Sequence, residues 1–218
     1  QTYRKKLKEF SKNQKPFIRN VTSTEIIAQV KNVLSKLSKK QLNSKPILLT
    51  FFGMGEPFLN YFNVVNAIKS LSKIFPTVRC TLSTLGIKPN LIKKLASENF
   101  SCLVKLHLSL HAPSNALRKK ILPCSNSIMP CLQALDFFSK KSNTISKVNY
   151  VLIKGVNDSK ENALELARLL KKFRFTVKLS KLNECNSLKS SSESKFRLFE
   201  KILHKQGKEA RSWTDIFR

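Results

Sequence analysis

An α/β fold built on a parallel sheet is the architecture the sequence predicts, and two observations predict it. Strand-like runs alternate with helix-like ones almost from end to end, the pattern of right-handed βα units. The apolar run Ile47-Leu48-Leu49-Thr50-Phe51-Phe52 then leads into the glycine-rich turn Gly53-Met54-Gly55-Glu56-Pro57. A strand that ends in such a turn, with one carboxylate and then proline, suits a backbone that approaches a small ligand at the carboxyl edge of a parallel sheet. With 218 residues and 41% hydrophobic content, the chain supports one domain with a real core.

The first helix is expected at Thr22, where Thr22-x-x-Glu25 reads as a capping box ahead of Ile26, Ile27 and Val30. Strands are expected over 47–52, 78–83, 103–110, 148–153 and 176–182, with a last one near 209–213. Asp158-x-x-Glu161 reads as the opening of a helix carrying Leu164, Leu166, Ala167, Leu169 and Leu170. Ser192 reads as the cap of another, which holds Phe196, Phe199, Ile202 and Leu203 before Gly207. Segment 184–194, rich in Ser and Asn, reads as a loop.

The strands also show which way their faces look. In 103–110, Lys105, His107, Ser109 and His111 share one side, and Val104, Leu106, Leu108 and Leu110 the other. In 78–83, Arg79, Thr81 and Ser83 lie opposite Val78, Cys80 and Leu82. A parallel sheet buried on both faces would be apolar throughout, so a polar face on central strands predicts a lumen or cleft for a polar ligand. An antiparallel sheet with one wet face gives the same alternation, but the intervening helices weigh against it.

Lys and Arg total 41 against 13 acidic residues, a formal charge of +28. That excess points to a polyanionic partner such as nucleic acid, held in a salt-dependent way. A compositional bias toward Lys, Asn, Ser and Phe would produce the same number without any partner. The five cysteines, Cys80, Cys102, Cys124, Cys131 and Cys185, are odd in number and form no C-x-x-C pair, which argues against a disulfide framework and a zinc site. A reducing compartment is expected, the cytoplasm or an organelle matrix. No run reaches the length of a membrane span. A chain opening on Gln1 rather than Met reads as a piece of something longer, so absent targeting signals carry no weight.

Five segments carry a family resemblance. They are Phe17-Ile18-Arg19-Asn20-Val21-Thr22; Gly53-Met54-Gly55-Glu56-Pro57 with Asn60; Thr81-Leu82-Ser83-Thr84-Leu85-Gly86; Ser109-Leu110-His111-Ala112-Pro113; and Gly155-Val156-Asn157-Asp158-Ser159. In order and spacing they resemble the RlmN/Cfr family of radical-SAM RNA adenine methyl synthases, over residues 17–218. The resemblance implies a partial (β/α)6 radical-SAM-type barrel of parallel strands, here missing its first strand, which would precede the helix at Thr22. Residues 1–16 would be a divergent or truncated cluster-loop region, and 17–218 the core domain.

The resemblance further implies S-adenosylmethionine lying across the carboxyl edges of the strands. Gly55 and Glu56 would meet the amino group of its methionine moiety, Ser83 and Ser109-Leu110-His111 would contact the cofactor, and Asn183 would close the site. An ammonium needs a carboxylate and carbonyls, while ribose and carboxylate groups need short polar partners. Plainer readings stand beside these. Glu56 caps the following helix, Ser83 and His111 are satisfied polar residues at strand ends, and His107, with no family role, is packed or solvated. Asn183 is flanked by Ser180-Lys181 and Glu184-Cys185 rather than the proline-rich pattern expected there.

The pattern breaks at the metal. Such enzymes hold a [4Fe-4S] cluster on three cysteines spaced C-x3-C-x2-C, because cluster iron takes soft thiolate donors. Counting back from Phe17 puts those places at Tyr3, Leu7 and Phe10, and a one-residue gap moves the last to Ser11. None supplies a thiolate, and the first cysteine anywhere is Cys80. The family's two redox cysteines would fall before Gln1 and just after Arg218, and Asn149 and Lys178 stand where the family usually shows Glu and Asn. Three readings follow: a cluster-less relative that keeps a cofactor pocket and affinity for structured rRNA or tRNA, a fragment of an active adenine methyltransferase, or a non-enzymatic interaction protein. A monomer with no membrane association is expected.

Overall fold

Six parallel strands run across one sheet in the order of the chain: β1 (Leu48–Phe51), β2 (Arg79–Thr84), β3 (Leu103–Ser109), β4 (Lys147–Leu152), β5 (Thr176–Lys181) and β6 (Ala210–Ser212). Helices α1 (Ser23–Leu34) and α2 (Lys39–Ser44) precede β1, and a 3-10 turn (Pro57–Leu59) with α3 (Tyr61–Ile74) joins β1 to β2. Helix α4 (Pro89–Leu95) crosses to β3, α5 (Asn115–Ile121) and α6 (Ile128–Lys141) to β4, α7 (Lys160–Leu170) to β5, and α8 (Glu193–Lys205) to β6. This computed structural model describes residues 18–53, 55–183 and 188–212. Tyr3, Leu7, Phe10, Ser11 and Met54 lie outside them, as do 184–187 of the expected loop.

The strand order explains the shape. Right-handed crossovers that always step the same way along a sheet leave every helix on one face, so the opposite face becomes the inside of a partial barrel. The helix-side residues of β2 to β5, among them Leu82, Leu106, Leu108, Val148, Tyr150, Leu152, Val177 and Leu179, are buried against Ile68, Leu71, Ile92, Leu132, Leu135, Leu166, Leu170, Phe199 and Leu203. Each such side chain contributes about 1.5–3 kcal/mol on burial, which holds the helices to the sheet. The alternation expected for 78–83 and 103–110 is present: apolar positions are buried and Arg79, Thr81, Ser83, Lys105, His107 and Ser109 are not.

The caps hold with two shifts. Thr22 and Glu25 form the full capping box at α1. At α7 the N-cap is Ser159 with Asn162, not Asp158 with Glu161. Asp158 is used elsewhere: its carboxylate accepts from the Gly155 N–H at 3.0 Å and the Ser191 hydroxyl at 2.8 Å. Ser192 stands at the N-cap of α8, yet its hydroxyl pairs with Ser194 Oγ at 2.8 Å instead of a backbone N–H. Helix α8 starts at Glu193, so the loop ends two residues before the expected boundary.

Candidate cofactor site at the carboxyl edge

All the expected site residues fall at the carboxyl ends of neighbouring strands. After β1 the chain turns through Gly53 (φ 111°) and Gly55 (φ 85°), the left-handed region that glycine adopts without a Cβ penalty. A Cβ at Gly55 would meet nothing within 4 Å, so the turn borders open space. A cleft of about 520 Å3 lies beside it, lined by Arg19, Asn20, Thr50, Phe52, Gly55 and Glu56 among others. Asn60 Nδ2 donates to Val21 O at 2.8 Å and Asn20 Nδ2 to Leu59 O at 3.2 Å, which ties two of the five segments together.

Glu56 performs the plainer of its two expected roles and more. Its carboxylate accepts from the Phe58 N–H at 3.2 Å, capping the 3-10 turn, and also reaches across to β2. There it accepts from the Thr84 hydroxyl at 2.7 Å and the Leu85 N–H at 2.7 Å. Three of about four acceptor positions are therefore engaged, and one remains open.

The end of β3 is held from below. Arg118, 1% exposed, places its guanidinium among four backbone carbonyls: Leu110 at 3.1 Å, Asn126 at 2.5 Å, Leu85 at 2.7 Å and Ser109 at 3.0 Å. No carboxylate pairs with it among the described residues, and burial lowers its pKa. The group acts as a clamp between the ends of β2 and β3, a task its five donors in a rigid fork suit.

Leu110 is wholly buried, its N–H donating to Asn149 O at 3.0 Å and its carbonyl accepting from Arg118. His111 leaves the strand at φ 57°, and its Nδ1 accepts from the Val151 N–H at 3.1 Å. That bond puts the ring proton on Nε2. Burial first, and then the charge of Arg118, hold His111 down to about 4, so the ring is neutral at pH 7. Asn157, 0% exposed, secures the same corner by donating to His111 O and Val151 O, both at 2.8 Å, and accepting from the Ile153 N–H at 2.7 Å.

Three polar groups along this edge remain unpaired among the described residues. The hydroxyls of Ser83 and Ser109 face the concave side, and Asn149 Oδ1, beside Ser109 in the ladder, is a buried oxygen without a hydrogen-bond partner. Two hydroxyls and an orphaned acceptor along one strand edge fit the ribose, amino and carboxylate groups of S-adenosylmethionine. Asn183 is exposed just beyond β5. Among the described residues no three His, Cys, Asp or Glu side chains gather to hold a metal, and the segment in which cluster ligands are expected lies outside those residues.

Arg118 and Asn157 are not legible as site residues in the sequence, and Asn149 stands out there only as a departure from the family pattern. Arg118 sits in the basic stretch Arg118-Lys119-Lys120, which reads as a solvated helix face. Asn157 lies within a family segment, a signal that marked it without assigning a partner.

A parallel sheet curled round a polar face, with a glycine turn and free hydroxyls at its carboxyl edge, defines a barrel that carries a small polar cofactor across its strand ends. Residues 15–167 match the Radical SAM superfamily, and the chain belongs to that superfamily. It is 38% identical over 201 residues to the probable dual-specificity RNA methyltransferase RlmN of Thermotoga petrophila, covering 89% of this chain and 56% of that protein. It is 35% identical over 217 residues to the dual-specificity RNA methyltransferase RlmN of Buchnera aphidicola, covering 93% and 58%. The crystal structure of a radical SAM methyltransferase from Sphaerobacter thermophilus superposes with a TM-score of 0.81 at 32% identity, over 90% of this chain and 58% of that one. Native anSMEcpe with bound AdoMet shares the fold alone, with a TM-score of 0.56 at 16% identity. These matches bear out the RlmN/Cfr resemblance and the partial barrel. The chain spans a little over half the length of the curated relatives it matches.

Proposed function

We propose that this chain binds S-adenosylmethionine at the carboxyl edge and structured RNA through its basic surface, as a cluster-less member of the RlmN-type lineage. The observation that carries the reading is the set of unpaired polar groups, Ser83, Ser109 and Asn149 Oδ1, beside the anchored Glu56. Glu56 offers its remaining acceptor position to the methionine ammonium, the two serines take ribose or carboxylate oxygens, and Asn149 accepts from a cofactor amino or hydroxyl group. Asn183 and His111 Nε2–H border the same edge. When bound, the cofactor supplies an activated sulfonium. The chain's own residues bind and orient it, and Tyr3, Leu7 and Phe10 offer no thiolate through which a cluster could act on it.

Calorimetry with S-adenosylmethionine is expected to show saturable binding that Asn149→Leu weakens by about 1–3 kcal/mol, the usual cost of losing a buried polar contact. Absence of binding by the parent chain overturns the cofactor reading. Reconstitution with iron and sulfide is expected to give no stoichiometric cluster, and cluster formation with cofactor cleavage refutes the cluster-less reading. RNA binding, followed by anisotropy with rRNA and tRNA fragments, is expected to weaken linearly in log–log form as salt rises.

A second reading is favoured by the 56% coverage of the Thermotoga relative: the chain is part of an active rRNA or tRNA adenine-C2 methyltransferase whose cluster and carrier cysteines lie in other segments. A C-x3-C-x2-C triad in the native sequence around this piece would decide for it.

A further inference from the structure

We propose that the concave face of the sheet carries a phosphate-binding site below the cofactor edge, made by Lys105 of β3 and Lys147 of β4 around His107. The ladder sets this geometry. His107 pairs directly with Lys147, and Lys105 lies one pleat earlier on the same face, opposite Thr81. Lys178 of β5 stands opposite Asn149, one pleat beyond Lys147, and Arg79 and Arg211 mark the two flanks.

No strand from β1 to β5 contains an acidic residue. The acid at the margin, Glu209, is already occupied: it pairs with Arg211 at 2.9 Å and accepts from Thr176 Oγ1 at 3.2 Å. Neither Lys105 nor Lys147 ion-pairs with a described carboxylate. Positive charge is thus concentrated on a curved, half-buried face. Its effect is visible on His107, which burial first, and then Lys147, Lys178 and Lys105, hold down to about 4. Burial and Lys147 likewise lower the pKa of Lys178.

A concave surface of one sign focuses its field and raises the local concentration of counter-ions. Ammonium groups act on such an anion as point charges. Inorganic phosphate or a phosphate monoester, with about two negative charges and three acceptor oxygens, matches these two ammoniums better than a singly charged carboxylate. The anion reaches the lysines from the open side of the sheet, as a small phosphate or as a phosphodiester of RNA. The phosphodiester brings one charge and two free oxygens per group and matches the two ammoniums through adjacent groups of the same strand. The inference is independent of cofactor binding, since it uses none of the cofactor residues.

The test is titration of the chain with inorganic phosphate, following the His107 ring resonances by NMR. A saturable shift is expected, with affinity about tenfold lower in Lys105→Gln/Lys147→Gln and unchanged in Lys119→Gln/Lys172→Gln on the outer surface. Removing like charges preserves the fold, so thermal unfolding of the inner pair matches or exceeds the parent. A missing shift, or equal losses from the inner and outer pairs, overturns the site. A single-stranded RNA oligonucleotide that displaces phosphate with the same lysine dependence identifies a phosphodiester as the natural group. Failure to displace it identifies a small phosphate.

Discussion

Arg118→Leu removes the guanidinium that joins the ends of β2 and β3, and its cost follows from what surrounds it. The side chain is 1% exposed and donates to the carbonyls of Leu85, Ser109, Leu110 and Asn126. Hydrogen bonds to a charged group contribute about 1.5–3 kcal/mol each, which for four sums to roughly 6–12 kcal/mol. Desolvating the cation opposes this by several kcal/mol, and leucine fills part of the volume. A net loss of about 3 kcal/mol is expected. With a urea slope near 2.5 kcal/mol/M, the unfolding midpoint falls by about 1.2 M at unchanged slope. Arg118→Lys keeps the charge but has three donors and no planar fork, so it recovers at most about half of the loss. A midpoint within about 0.2 M of the parent for Arg118→Leu, or full recovery by lysine, refutes the clamp.

Three further outcomes are expected. His107 and His111 have folded pKa values near 4 against an ordinary 6.5, so the unfolded chain binds more protons between those limits. Their stabilisation is complete above about pH 6.5 and is lost as pH falls toward 4, a slope that the His107→Gln/His111→Asn variant should largely remove in denaturant melts. An unchanged slope in that variant assigns the effect to other groups. Asn157→Asp swaps two donated hydrogen bonds for oxygen facing the carbonyls of His111 and Val151, and should cost about 3 kcal/mol, with Asn157→Ser less damaging. Gly86→Ala would put a Cβ 2.6 Å from Cys131 Sγ at φ 74°, and is expected to lower stability by about 1–3 kcal/mol. Adding Cys131→Ala should return part of that in thermal melts, and no recovery would place all the strain in the backbone.

How much could be read from the chain depended on the range of each interaction. Thr22 and Glu25 are three residues apart, and their capping box is present as expected. The faces of β2 and β3 follow from a period of two, which a run of six or seven residues displays in full. Asp158 failed as a cap because Gly155 and Ser191, one near and one far, already engage its carboxylate. Glu56 read as either a cap or a ligand. Its bonds to Thr84 and Leu85 arise only once β1 and β2 lie side by side.

By itself, then, the sequence determined the βα alternation, the glycine turn at the strand end, the polar face and the absence of thiolates at Tyr3, Leu7 and Phe10, because these depend on local periodicity or on residue identity alone. Tertiary structure decided which polar groups remain unpaired and where charge accumulates. Arg118 became a buried clamp, Asn149 kept an orphaned oxygen, and Lys105 and Lys147 came together about His107. Those outcomes depend on parallel register between strands far apart in the chain, and no local pattern encodes it.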